Sequence, residues 1–246
     1  MPAPEAMSPD AREMRPPQPV EFSTEEDWTD FWVAFWRNNG MGDSGASESK
    51  RRTAAYTAKQ TMRDQRARAL PSYGFGMRED GQMIATSRLE VREDDDGERY
   101  GYLFHLSVDE AHRGQGLARR LTEVREERAR QDGCTRLVTD VFSGNPVALV
   151  SKLHEGYAVT DMKPQEMLHG EPPAGVFVVS KRLDNASATE DEQPQAGERR
   201  DVSLTDLGQV QELLDEGWHG VDAKNFGGPQ DTDPVSWILV MEKPVA

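Results

Sequence analysis

Cysteine is nearly absent from this chain of 246 residues, with Cys134 as its single example. One cysteine forms no disulfide within the chain and no cluster of thiolate ligands, so we expect a reducing compartment and no metal. Long apolar runs are also missing, and the first twenty residues are polar and proline-rich, without the apolar segment of a secretion signal. The sequence therefore predicts a cytoplasmic protein with no membrane partner.

Positive charge is scarce as well. Lysine and arginine together number 29 against 44 aspartates and glutamates, which gives a net charge of −15. Such a chain is a poor candidate for nonspecific nucleic-acid binding, so we expect no nucleic-acid partner. An acidic surface serves solubility, and it also attracts cationic substrates such as amines.

Composition along the chain divides it into four segments. Residues 1–18 have too little apolar content to order and are predicted to be disordered, whereas residues 19–183 alternate apolar and polar positions as a folded domain does. Residues 184–200 form an acidic linker. Residues 201–246 regain apolar periodicity and form a separate C-terminal segment.

Helical patterns open the folded domain. Ser23 and Glu26 have the spacing of a capping box, which predicts a helix that ends near Gly40, and a polar second helix follows at 51–70. The aromatic residues of the first helix recur at helical spacing, as expected for a helix packed on a core.

Strand patterns follow the two helices. Three strands between residues 73 and 108 are joined by turns at 80–81 and 95–97, which predicts an antiparallel meander. A helix at 116–131 and a strand at 136–142 come next, which implies a parallel pair. A further helix and two strands complete the domain. The predicted fold class is α/β (α+β), with a mixed, mostly antiparallel sheet flanked by helices.

The C-terminal segment resembles part of the domain before it. Residues 201–243 align without a gap to residues 140–182 at an offset of 61, with nine identities over 43 positions. The alignment preserves the order strand, helix, glycine and aromatic pair, strand and strand. We interpret residues 201–246 as a degenerate repeat of 140–185. Because so small a unit cannot bury its own apolar face, it should extend the sheet or pack against a second copy in a homodimer.

The motif with the clearest chemistry is RGQGLA at residues 113–118, between a strand and a helix. Backbone N–H groups at such a turn can point at one anion, where the helix dipole also favours negative charge. Arg119 stands where a dinucleotide fingerprint needs its third glycine, and the Gly-Lys-Ser/Thr of a Walker loop is absent. The turn thus predicts a phosphate site of another kind.

These residues resemble the GNAT superfamily of acetyl-CoA-dependent N-acetyltransferases. Arg113, Gly116 and Ala118 match its Q/R-x-x-G-x-G/A motif, and Val108 matches the valine that ends the preceding strand. Residues 145–157 resemble the second motif of the family, an N-x-x-A sequence followed by a helix and a Gly-aromatic pair. The resemblance covers residues 19–183.

The resemblance implies a site for acetyl-CoA. The backbone of Leu106, Ser107 and Val108 would pair with the pantetheine arm, and Asn145 would contact the cofactor where the two parallel strands separate. The amides that would hold the pyrophosphate are those of Arg113, Gly114, Gln115, Gly116, Leu117, Ala118 and Arg119. The implied reaction is direct acetyl transfer to a primary amine in a ternary complex. The alternative is a regulatory or interaction module that binds acyl-CoA without turnover.

A proton acceptor for the amine is the first catalytic requirement. Asp140 lies five residues before Asn145, where some relatives place a base or an amine anchor, although a solvated or salt-bridged strand residue fits equally well. Relatives also tend to place bases at the positions of Tyr102 and Phe104. Strand alternation directs His105 to the opposite face, unless a bulge turns it.

The leaving thiolate is the second requirement. Many relatives have a tyrosine seven residues after the asparagine, and here that residue is Lys152. Lys152 could stabilise the thiolate, and Ser151 or a water could donate a proton. We expect Lys152 to be an ordinary solvated helix residue, so the identity of the acid stays open.

Overall fold

A computed structural model describes residues 16–40, 47–165, 174–183, 197–226 and 233–244. Within these ranges, ten strands form one sheet, in the order β1-β2-β3-β4-β5-β7-β6-β9-β10-β8. Most of the predicted disordered segment 1–18 and of the acidic linker 184–200 lies outside the described residues.

The first half of the chain forms two helices and one edge of the sheet. Its elements are β1 (Val20–Glu21), α1 (Glu25–Asn38), α2 (Glu48–Ala67), β2 (Ser72–Glu79), β3 (Gln82–Glu93) and β4 (Arg99–Val108). The predicted capping box is wrong by one residue. Thr24 is the N-cap of α1 and exchanges hydrogen bonds with Asp27, because Asp27 stands at the third helical position from Thr24.

The next elements extend the sheet beyond β4. They are α3 (Leu117–Gln131), β5 (Arg136–Phe142), α4 (Pro146–His154), β6 (Ala158–Gln165) and β7 (Ala174–Arg182). The C-terminal segment supplies β8 (Arg199–Ser203), α5 (Leu207–Asp215), β9 (His219–Asn225) and β10 (Trp237–Glu242). Among the described strand pairs, β4 with β5 is parallel and the rest are antiparallel. The predicted mixed, mostly antiparallel sheet is confirmed.

Two apolar cores lie on opposite faces of the sheet. The larger joins the strands to α3, α4 and α5 through buried residues such as Leu103, Leu121 and Leu149. The smaller packs α1 and α2 on β2 and β3 around Trp28 and Phe31. Alternate residues of β3 and β4 therefore face either α3 or α1. None of the helices in the described ranges has an apolar stretch long enough to span a bilayer.

The C-terminal elements lie beside those they resemble. Strand β9 joins β6, with Val159 opposite Gly220. Helices α4 and α5 are offset by 61 residues at both ends, and so are the first residues of β6 and β9. In both units a lysine lies 3.3 Å from an aspartate: Lys163 from Asp140, and Lys224 from Asp201. The two segments thus share local structure as well as sequence.

Candidate active site

The parallel strands β4 and β5 separate before they end. Their pairing runs from Tyr100 with Arg136 to Leu103 with Thr139. Strand β4 then continues to Val108 and β5 to Phe142, with no described pairing between them. The opening between the strands contains a cavity of about 370 Å³. One side of β4, at Leu106, Ser107 and Val108, therefore offers main-chain groups to a ligand.

A β-bulge in β4 forms one wall of this opening. Thr86 pairs with Ser107 and Arg88 with Phe104, so β4 has one extra residue at this point. His105 adopts a positive φ of 54° there. Its ring lies 4.5 Å from that of Phe35 and 4.8 Å from that of Phe104. Strand alternation alone would direct His105 away from Tyr102 and Phe104, but the bulge, the exception that the sequence left open, turns it onto their face.

The environment of His105 keeps its ring neutral. Burial, with the nearby Arg88 cation as a second cause, lowers the pKa of His105 to about 4. Its Nδ1 is buried without a hydrogen-bond partner among the described residues. His105 therefore presents an uncharged imidazole to the cavity at neutral pH.

The glycine turn lies between the end of β4 and the start of α3. Gly114 and Gly116 have φ values of 76° and 75°, and a Cβ on either would meet no atom within 4 Å. Their backbone conformation, and not crowding, favours glycine here. Gly116 is the N-cap of α3 and supplies no side-chain hydrogen bond. The N–H groups of the first helical turn are therefore available to an anion.

The other residues of the turn occupy two kinds of position. Leu117 is buried and anchors α3 in the core. The guanidinium of Arg113 lies 3.5 Å from the Val108 carbonyl oxygen. Arg119 is exposed and donates to Glu123 at 2.9 Å. Gln115 is exposed and Ala118 is half-buried.

Asn145 stands across the opening, at the start of α4. Its side-chain oxygen accepts from the Ala148 N–H at 3.1 Å, which makes it the N-cap of the helix. Its side-chain nitrogen donates to none of the described residues, and Asn145 lines the cavity. Asn145 thus fixes α4 with one atom and offers the other to a ligand.

Asp140 and Tyr102 form a hydrogen-bonded pair on the cavity wall. The Tyr102 hydroxyl donates to Asp140 Oδ2 at 3.0 Å, and Lys163 Nζ lies 3.3 Å from both carboxylate oxygens. Burial, and then the Asp140 charge, raises the pKa of Tyr102 to about 12. Tyr102 therefore remains a proton donor at neutral pH, and the pair holds an oriented carboxylate beside the cavity.

Lys152 is buried, contrary to the expectation of a solvated helix residue. Its side chain is 12% exposed, donates to Glu155 and lies 5.1 Å from the centre of the Tyr157 ring. Burial lowers its pKa, while the Glu155 hydrogen bond opposes that shift. The expectation failed because Tyr157 and Glu155, beyond the end of α4, fold back over the lysine. Lys152 lines the cavity.

Ser151 precedes Lys152 in the sequence, but its side chain lies outside the cavity. It is exposed, donates to Glu155 Oε1 at 3.2 Å and does not line the cavity. Of the two candidates for an acid on α4, the structure thus places Lys152 at the opening and Ser151 outside it.

Two buried arginines near the opening were not predicted. Arg125 of α3 is 1% exposed, lines the cavity and donates to the Leu121 carbonyl oxygen at 3.2 Å. Arg88 of β3 packs against the Phe104 ring. A signal for the second existed in the sequence, because Arg88, Glu90 and Arg92 recur with strand spacing on one face. No cluster of three or more metal-ligating His, Cys, Asp or Glu side chains occurs in the described ranges.

These features define a class of protein. An uncapped helix N-terminus at a glycine turn suits the phosphates of an extended ligand, and the separated strands suit its elongated arm. An oriented carboxylate lies at the far end of the same opening. The fold and site are those of a protein that brings such a ligand to a polar reaction centre.

Comparison with known proteins gives the family. The acetyltransferase (GNAT) family model matches residues 26–150, just over half of the chain. The chain therefore belongs to the GNAT acetyltransferase family, as the motifs predicted. Members of this family are acyltransferases that use acetyl-CoA.

Curated relatives match part of the chain. The uncharacterized N-acetyltransferase YdgE of Bacillus subtilis is 32% identical over 71 residues, which are 29% of this chain and 45% of that protein. N-acetyltransferase 8B of Rattus norvegicus is 32% identical over 97 residues, 39% of this chain and 44% of that protein. The chain thus aligns with less than half the length of these two relatives.

Solved structures share the fold. The putative acetyltransferase yncA of Salmonella typhimurium, solved with acetyl-CoA, has a TM-score of 0.50 at 19% identity and covers 72% of this chain and 99% of its own. A putative phosphinothricin N-acetyltransferase has a TM-score of 0.51 at 15% identity, with coverages of 68% and 99%. At these identities the likeness establishes the fold alone.

Proposed function

We propose that the protein is an N-acetyltransferase that transfers the acetyl group of acetyl-CoA directly to a primary amine in a ternary complex. The observation that carries this proposal is the opening between β4 and β5. The Tyr102–Asp140 pair lines this opening, and the glycine turn follows the end of β4, the strand that forms one of its sides. A thioester and an amine could therefore meet within one cavity of about 370 Å³.

The residues on the cofactor side fit acetyl-CoA. The open N–H groups at Gly116 and the following residues would hold the pyrophosphate, with the Arg113 guanidinium nearby. On the side away from β3, the main chain at Leu106, Ser107 and Val108 has no partner in β5 and would pair with the pantetheine amides. The Asn145 side-chain amide would add a donor. Bound acetyl-CoA supplies an activated acetyl thioester.

Asp140 would accept the proton of the amine. The hydroxyl of Tyr102 and the ammonium of Lys163 hold the carboxylate in place. When the amine attacks, the N–C bond would form, the C–S bond would break, and a proton from nitrogen would pass to the leaving thiolate. Before the attack, a bound ammonium ion would give its first proton to Asp140, directly or through water. Asp140 would also anchor a cationic amine before it loses that proton.

Lys152 would act on the leaving sulfur. Its ammonium group lies in a poorly solvated wall of the cavity, where a positive charge stabilises a developing thiolate more strongly than it would in water. Burial already lowers its pKa, so it can also return a proton to the sulfur.

Calorimetric titration of the purified protein with acetyl-CoA, followed by thiol release with a panel of amines, tests this function. We expect micromolar binding and amine-dependent release of coenzyme A in equal proportion to acetylated product. Binding without release for any amine would instead support a regulatory module that binds acyl-CoA. A folded protein that binds no acetyl-CoA would contradict both.

A further inference from the structure

Arg88 is a buried cation without a hydrogen bond. Its side chain is 11% exposed, and its Nε is buried with no partner in the described part of the chain. Its guanidinium carbon lies 4.5 Å from the centre of the Phe104 ring and 5.2 Å from that of Trp28. Burial lowers the pKa of Arg88 to about 10, so the group stays charged at neutral pH. The Nε–H donor of Arg88 is therefore left without an acceptor away from water, which is costly.

The nearby carboxylate does not satisfy Arg88. Glu90 Oε1 lies 3.8 Å from Arg88 Nη2, which is too far for a hydrogen bond. The other oxygen, Glu90 Oε2, accepts from Arg92 at 2.9 and 3.3 Å and lies 3.4 Å from the guanidinium of Arg68. Asp64 of α2 acts on Arg88 through space but makes no ion-pair contact with it. Three arginines thus surround one glutamate, in a chain of net charge −15.

This cationic cluster (Arg68, Arg88, Arg92) borders the reaction centre. In the β3–β4 ladder, Arg88 is paired with Phe104 and Glu90 with Tyr102. Arg92 lies over the Tyr102 ring at 3.7 Å, and the rings of Tyr102 and Phe104 are 5.6 Å apart. Both aromatic residues line the cavity. Arg88 and Arg92 therefore contact two aromatic residues of the cavity wall, one of which, Tyr102, is bonded to Asp140.

We propose, on the basis of the proposed function, that the acetyl acceptor is an amine that also carries a carboxylate, as a free amino acid does, and that Arg88 binds that carboxylate. Arginine and carboxylate form paired, charge-assisted hydrogen bonds, and those bonds supply the partners that Arg88 lacks. Asp140 engages the amino group at the other end of the acceptor. An amine without a carboxylate leaves Arg88 unpaired, so the site discriminates against it.

Matched acceptor pairs test the inference. Leucine and isoamylamine, or phenylalanine and phenethylamine, differ only in the carboxylate. We expect kcat/KM of the wild-type protein to favour the amino acid by about 30-fold or more, the effect of a charge-assisted pair. Arg88→Met keeps the aliphatic stem against Phe104 and should abolish that preference, mainly by lowering kcat/KM for the amino acid. Arg88→Lys should retain part of the preference.

A control variant and a binding measurement distinguish a failure of the Arg88 inference from a failure of the proposed acetyltransferase function. Arg52→Met removes an exposed arginine of α2 whose described ion pair is with Glu48, and it should change neither acceptor. Calorimetry should show that the amino acid binds the wild-type protein with coenzyme A present, and that Arg88→Met weakens this binding. If that holds but no acceptor is acetylated, Arg88 is established as a carboxylate site and the proposed function fails.

Other outcomes overturn the inference. Acetylation of both members of a pair with similar kcat/KM in the wild-type protein would do so and would leave the proposed function intact. The inference would also be overturned if the amino acid neither bound to the protein nor was acetylated by it. The wild-type comparison decides the matter even if Arg88→Met fails to fold, as judged by circular dichroism.

Discussion

Val159 of β6 lies opposite Gly220 of β9, and these two residues are 61 positions apart, the offset at which residues 140–182 align with 201–243. Val159 and Gly220 are therefore equivalent positions of the two segments, and they pair with each other. The strand order β5-β7-β6 followed by β9-β10-β8 repeats the same three elements in reverse across that junction. We propose that residues 201–246 are a repeat related to the first unit by an approximate two-fold axis, at the edge where a second copy would otherwise pair.

Substitution of Gly220 should test that junction. A Cβ at Gly220 would lie 2.9 Å from the Cβ of Val159, closer than normal packing allows. We expect Gly220→Val to lower the free energy of unfolding by about 1–3 kcal/mol through overpacking, measured by urea denaturation. Val159→Ala removes Cγ2, which would lie 3.0 Å from the new Cβ, and should relieve part of that loss in the double variant, with a coupling energy of about 1 kcal/mol. Additive effects would argue against direct contact.

Gly116→Glu should weaken acetyl-CoA binding by about 30-fold or more. The new carboxylate would stand where the open N–H groups of α3 favour an anion, and the positive φ would disfavour the side chain. Gly97→Glu is a matched control, because Gly97 has φ 81° in a turn and likewise no neighbour within 4 Å of its Cβ. Calorimetry that finds equal affinity in both variants would exclude the turn as the phosphate site.

Asp140→Asn should lower kcat for acetyl transfer by about 10²–10⁴, the usual contribution of a general base, without weakening acetyl-CoA binding. Tyr102→Phe removes the hydroxyl that donates to Asp140 at 3.0 Å and should have a smaller effect, since Lys163 still contacts the carboxylate. Steady-state kinetics with a saturating acceptor measure both. A fully active Asp140→Asn variant would remove Asp140 from the mechanism.

Lys152→Met should lower kcat more than it alters the Kd for acetyl-CoA, because its charge is needed when the thiolate forms. We expect a decrease of about 10- to 100-fold, typical of the loss of one electrostatic group. The adjacent Ser151→Ala is the control and should behave as the wild type, since Ser151 is exposed and bonded to Glu155. Equal kinetics for the two variants would contradict a role for Lys152.

The free energy of unfolding should decrease as the pH is lowered, because of His105. Its pKa in the folded protein is about 4 against an ordinary value of 6.5, so the unfolded chain binds the proton first. The free energy of unfolding should therefore decrease as the pH is lowered from 6.5 to about 4. His105→Phe should remove this part of the dependence in urea denaturation at about pH 4.5, 5.5, 6.5 and 7.5.

His112 offers a contrast of opposite sign. Its hydrogen bond to Glu79 raises its pKa, so its stabilising contribution is present at low pH and is lost as the pH rises through that raised pKa. His112→Gln should therefore destabilise the protein mainly on the acidic side.

A His105→Phe variant with the same acid sensitivity as the wild type would contradict the prediction made for His105, because it would show that His105 is already exposed to solvent.

Regular elements were predictable because their signals are local. The alternating pattern of 136–142 gave β5 at its observed bounds, and the glycines of the turn gave the start of α3 within one residue. The family followed from residue types at fixed spacing. Thr24, and not Ser23, caps α1 because Ser-Thr presents two adjacent candidates and only the folded backbone selects one.

The walls of the site were harder to predict because they depend on distant packing. Nothing in strand alternation marks the bulge that turns His105, which arises from the pairing of β4 with β3. The burial of Lys152 depends on Glu155 and Tyr157 folding back over α4. The sequence also could not predict that Arg88 lacks a hydrogen-bond acceptor, because this depends on Glu90 being bonded to Arg92 instead.

The outermost described strands limit how the sheet can grow. Strand β1 has only two residues, Val20 and Glu21, and offers little backbone to another chain. At the other margin, β8 carries Arg199, Arg200 and Asp201 in succession. Short edges and charged edges both discourage the addition of further strands from neighbouring molecules. Both outermost described strands therefore disfavour edge-to-edge assembly of this sheet into fibres.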